Sequence, residues 1–99
     1  MNSKFKFDED QYIKELYKYI EGTYSEHYGK GKIQTTEIII DRGRGLEFCL
    51  GNVDKYSLRY GEKGEPSDHR KDLMKMLHYT IIALHAHDLK YGEVNDEDQ

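Results

Sequence analysis

Apolar side chains recur along this chain at helical intervals, and glycine-rich gaps interrupt them. Tyr12, Ile13, Leu16, Tyr17, Ile20 and Tyr24 follow at three- and four-residue spacing, which predicts an amphipathic first helix. Asp8 stands where an N-cap is expected, with Glu9 and Asp10 in the first turn favoured by the helix dipole. Gly22 weakens this helix without ending it. The run is expected to stop near Tyr28, before a Gly29-Lys30-Gly31 loop. Residues 1–7 precede it as a short arm.

The next segment reads two ways. Thr35 or Thr36 could cap a short helix over Glu37–Arg42, but Ile38-Ile39-Ile40 is a β-branched run, and propensity slightly favours a strand. Gly43 and Gly45 break whatever precedes them. A third element is expected over Leu46–Tyr60, where Cys49, Val53, Tyr56 and Tyr60 make one helical stripe. The segment Gly61–Pro66 has loop chemistry. Ser67 or Asp68 is then expected to cap the longest helix, Asp68–Tyr91. Its predicted buried face is Leu73, Met76, Leu77, Thr80, Ile81 and Leu84, and Gly92 suits its C-terminus.

These elements make a small all-α bundle of three to four helices over residues 1–92, followed by a frayed acidic tail over 93–99. The length of 99 residues suits a single domain. Apolar residues make up only 36% of it, and nine tyrosines stand beside three phenylalanines and no tryptophan. So few aliphatic side chains leave a marginal core, and assembly as a homo-oligomer is the expectation. No apolar run is long enough to cross a membrane, and the N-terminus lacks the apolar stretch of a secretory signal. A single cysteine, Cys49, forbids an internal disulfide. A cytoplasmic location follows as the expectation.

Charge narrows the partners. The net charge is −4, but the acids Glu93, Asp96, Glu97 and Asp98 supply all of it, so the rest of the chain is neutral. A neutral body argues against bulk nucleic-acid binding. It leaves room for a local anion pocket. The candidate lies on the third element, where Asn52, Lys55 and Arg59 share one helical face. Lys63 extends the row, and Tyr56 and Tyr60 sit beside it. Arginine offers a planar fork to phosphate oxygens, lysine adds a point charge, and a tyrosine ring can stack on a base. Composition alone favours a plainer reading, a solvated polar face with Asp54 and Glu62 as partners. Asp72, Lys75 and Tyr79 repeat the spacing on the last helix, so antiparallel packing would bring both rows to one cleft. His27, Arg42 and Arg44 are additional candidate phosphate contacts.

Other chemistry is less well founded. His78, His85 and the His87-Asp88 pair are not accompanied by further ligands at metal spacing, so no metal site is expected. Cys49 reads as a buried thiol. The Gly29–Lys32 segment lacks the P-loop pattern.

An ordered set of motifs adds to this reading. His27-Tyr28, Lys32-Ile33 and Ile38–Asp41 lead to Gly45-Leu46-x-Phe48. Then come Leu50-Gly51-Asn52-x-x-Lys55-Tyr56-x-x-Arg59, Lys63-Gly64 and Asp72-Leu73-x-Lys75. Over roughly residues 26–80 this resembles the SaV-like family of small bacteriophage proteins. The resemblance implies an α-helical phage protein, with a helix rather than a strand before Gly43. It also implies a link to nucleotides, because a longer phage relative is a nucleoside monophosphate kinase without a P-loop. Thr35-Thr36 departs from the family's usual proline, and the kinase relative's extra length is missing. Three functions follow as expectations. The first is a nucleotide-binding protein that sequesters a second messenger of host antiphage defence, without turnover and without a cofactor. The second is a nucleotide kinase, which would need Mg and ATP. The third is an inhibitor that binds a host protein.

Overall fold

The computed structural model describes residues 3–92, apart from the side chain of Tyr28. The acidic tail expected over 93–99 lies outside the described residues. Helices are α1 (Glu9–Ser25), α2 (His27–Asp41), α3 (Gly45–Arg59) and α4 (Pro66–Tyr91). The described residues contain no strand, and the protein is all-α. Two compact units divide between Gln34 and Thr35, inside α2.

In the N-terminal unit, Asp8 does stand at the N-cap of α1. Its backbone is left-handed at φ 59°, however, and its side chain makes no capping hydrogen bond. Its carbonyl accepts the first bonds of the helix, from Gln11 and Tyr12. The Ser3 hydroxyl donates to the Asp10 carboxylate and holds it below the usual carboxylate range. The helix stops at Ser25, because Glu26 is extended at ψ 139°. None of its residues is buried. The expected loop at Gly29-Lys30-Gly31 is instead the first part of α2. Gly29 is there for space: it is buried, and a Cβ on it would collide with the Thr23 carbonyl oxygen.

In the C-terminal unit, Ile38, Ile39 and Ile40 are helical, as the resemblance implied and propensity did not. The segment is the end of a 15-residue helix rather than a short one. Its termination explains the next glycine. Arg44 N–H donates to Ile39 O at 3.1 Å and Gly43 N–H to Ile40 O at 2.9 Å. This is a Schellman ending with Gly43 at φ 77° in the left-handed position.

The chain then turns into α3, and α3 packs on α4. Residues early in α3 meet residues late in α4: Gly45 and Leu46 share a cleft with Ala86 and Leu89. Residues late in α3 meet residues early in α4, such as Arg59 and Asp72. The pair is therefore an antiparallel hairpin. Its buried apolar residues are Cys49, Tyr56, Ala83 and Ala86. Gly45, at the start of α3, packs on the end of α2, since a Cβ would stand 2.5 Å from Ile40 Cγ1.

Two expectations for α4 are corrected. Glu65, not Ser67 or Asp68, is its N-cap, and Pro66 opens it. Asp68 caps from inside the first turn, its Oδ2 accepting the Glu65 N–H at 3.0 Å. The buried face also differs. Leu73, Leu77, Thr80, Ile81 and Leu84 are exposed and Met76 is half-buried, whereas Asp72, Ala83 and Ala86 are buried. On a helix these two lines of residues are roughly 120–130° apart. The helix is apolar on two separate sides, and α3 takes the side with the smaller residues. Tyr60, expected on the α3 stripe, is likewise 49% exposed.

Candidate functional site

Hairpin geometry brings the two polar rows together around one ring. Tyr56 is buried at the α3–α4 contact, 3% exposed. Lys55 Nζ and Lys75 Nζ each lie 5.0 Å from its ring centroid, and Arg59 Cζ lies 5.4 Å from it. All are within cation–π range. Tyr79 stacks on Tyr56 at 6.1 Å with 17° between ring planes. Phe48 meets Tyr79 edge-on, also at 6.1 Å.

One carboxylate answers the three cations. Asp72 is buried, and its Oδ1 lies 3.5 Å from Arg59 Nε. This is an ionic contact and not a hydrogen bond, and Oδ1 has no hydrogen-bond partner. Arg59 therefore pairs across the hairpin rather than with Asp54 or Glu62 of its own segment. Three positive groups against one negative leave the cluster cationic inside a body that is neutral as a whole. Positive charge packed on ring faces can hold phosphate oxygens, and Asp72 Oδ1, which lacks a hydrogen bond, can accept from a donor.

The other candidates are arranged differently. Asn52 is half-buried and donates back to Phe48 O at 3.0 Å. Tyr60 sits 5.6 Å from the His69 ring, and His69 Nε2–H donates to Lys63 O at 2.9 Å. That pairing ties the Lys63 backbone to the start of α4. Arg42 and Arg44 are exposed in the turn before α3. Lys55 is eleven residues beyond Arg44, about 16 Å along a helix, so the fold does not bring these arginines to the cluster. They lie beside a separate cleft of about 190 Å³ bounded by Ile40, Leu46, Ala86 and Leu89. His27 is exposed in the first turn of α2, in the N-terminal unit.

Sequence reasoning gave Phe48 and His69 no role in the site. Phe48 was legible as part of the Gly45-Leu46-x-Phe48 motif, whereas nothing in the spacing singled out His69. Cys49 is fully buried, and burial pushes its thiol pKa up. Burial also lowers the pKa of His78. Among the described residues no three His, Cys, Asp or Glu side chains gather as a metal site would require. No described helix is long and apolar enough to cross a membrane.

The family model DUF3310, a protein family of unknown function, matches residues 23–80. The chain belongs to the DUF3310 family. The match includes all of α3 and the α4 residues Asp72, Lys75 and Tyr79, so the cationic cluster lies within the family's own segment. No curated protein and no solved structure matches the chain.

Proposed function

We propose that this protein binds a nucleotide at the Lys55–Arg59–Lys75 cluster and holds it without chemical change. The observation that carries this reading is the convergence of three cations on the buried Tyr56 ring, balanced by Asp72 alone. Phosphate oxygens satisfy the cations, and half-buried Tyr79 and exposed Tyr60 supply ring surface for a base. The resemblance to small phage proteins extends the reading to a sponge for a host-defence nucleotide, acting in the cytoplasm of an infected bacterium. Self-association belongs to the same proposal, because the buried core is small and much apolar surface is exposed.

Titration calorimetry with a panel of cyclic dinucleotides and ADP-ribose derivatives tests it. At least one is expected to bind tightly and to be recovered intact after the protein is denatured. Lys55→Ala and Lys75→Ala are expected to weaken that binding while leaving helicity unchanged. Absence of binding across the panel would overturn the reading. Conversion of deoxynucleoside monophosphates with ATP and magnesium at substoichiometric protein would replace it with a kinase.

A further inference from the structure

The side of α4 that α3 does not cover carries a continuous apolar line. Leu73, Leu77, Ile81, Leu84 and Tyr91 fall within an arc of about 80° on the helix. They are 43%, 46%, 43%, 62% and 61% exposed. The line spans about five turns, with Asp88 the charged residue inside its arc. Scattered exposed apolar residues are ordinary, but a continuous stripe along one helix marks a contact surface.

The charges on the stripe say what covers it. Arg70 and Asp88 are eighteen residues apart, about five full turns, so both sit at the same angle, about 30° from the centre of the line. They bracket its central part with opposite signs. A second copy of α4 laid antiparallel about a two-fold axis places Leu77 against Ile81 of the partner subunit. The same operation places Arg70 opposite Asp88 of the partner subunit, and the reverse pair follows by symmetry. A parallel, in-register pairing would leave Arg70 about 27 Å along the axis from Asp88 of the partner subunit, so neither opposite-charge pair would form. Arg70 also interacts within its own chain, but a guanidinium has several donors to share.

We infer that two copies of this chain pair through this face of α4, antiparallel and with two-fold symmetry. The inference rests on the self-association reading and names its surface. It does not depend on the nucleotide. Five half-exposed apolar side chains on each protomer, with their polar flanks, reach roughly the 600 Å² per partner at the low end of specific interfaces. An isologous contact of this kind closes at two copies.

Sedimentation equilibrium of the full chain tests this, with circular dichroism as the control for folding. The wild type is expected to be dimeric. Leu77→Glu and Leu84→Glu are each expected to yield monomer with helicity retained. Arg70→Glu and Asp88→Arg are each expected to weaken the dimer by roughly tenfold, through like charges brought face to face. Their combination is expected to restore most of the affinity. A monomeric wild type at 100 µM or so, well above the affinity of most specific dimers, overturns both the self-association reading and this surface. An oligomer indifferent to Leu77→Glu and Leu84→Glu overturns the surface alone. Charge reversals that fail to rescue one another overturn the antiparallel arrangement.

Discussion

Arg59 on α3 reaches across the hairpin to Asp72 on α4, Nε to Oδ1 at 3.5 Å, with the arginine half-exposed and the carboxylate buried. The asymmetry decides what each substitution does. Removing Arg59 leaves a buried carboxylate oxygen with neither hydrogen bond nor ion pair. Arg59→Ala is expected to lower stability by about 1–2 kcal/mol, between the values for exposed and buried pairs. Adding Asp72→Asn should recover part of this loss. Urea unfolding of the two singles and the double measures the coupling, and strict additivity would show that the contact contributes nothing.

Tyr56 and Tyr60 belong to the same expected stripe but differ in burial, 3% against 49%. Tyr56→Ala should cost about 3–5 kcal/mol, as truncating a buried aromatic does. Tyr60→Ala should cost well under half as much. Thermal unfolding distinguishes them, and equal costs would contradict the register of the α3–α4 contact.

Two glycines in α3 are expected to respond with opposite signs. Gly45→Ala puts a methyl against Ile40, 3.0 Å from its Cα, where backbone must yield. A loss of about 1–3 kcal/mol is expected from such overpacking. Gly51 has open space around it, so Gly51→Ala should raise stability by roughly 0.5–1 kcal/mol through helix propensity. Denaturation midpoints of both variants check the pair.

Burial of His78 lowers its folded-state pKa below the ordinary histidine value. The unfolded chain therefore binds the proton more readily, and stability falls as pH drops below about 6.5. The loss continues down to the lowered folded pKa and then levels off. Melting temperatures from pH 8 to pH 5 should show this decline, and His78→Gln should flatten it. A decline that survives the substitution would assign it to another group.

Cys49 is fully buried with its thiol pKa raised, so both access and ionisation oppose reaction. An aromatic disulfide reagent should label it slowly in the native protein and at once in denaturant. Rapid native labelling would mean that the α3–α4 contact opens readily.

How far the fold was legible differs from helix to helix. For α3 the periodicity found the helix and its buried Cys49 and Tyr56, but it also included Tyr60, which follows the last helical residue and is exposed. For α2 local propensity pointed the wrong way: β-branched isoleucines and three-residue glycine punctuation outweighed a helical pattern too weak to see. Glycine marked a loop at residues 29–31 by its usual meaning, whereas Gly29 serves close packing against Thr23.

The sequence by itself determined that the segments of α1, α3 and α4 are helical and that Lys55, Arg59, Asp72, Lys75 and Tyr79 lie at spacings able to share a face. Helical periodicity is local, and local order suffices for both statements. Only the tertiary structure decided which side of α4 is buried. That helix has two apolar sides, and periodicity ranks them by hydrophobicity, which favours Leu73, Leu77, Ile81 and Leu84. Packing against α3 instead takes the side with the smaller residues, Ala83 and Ala86. Size prevails within the hairpin, and that choice both turns Asp72 and Lys75 towards Tyr56 and leaves the leucine line exposed.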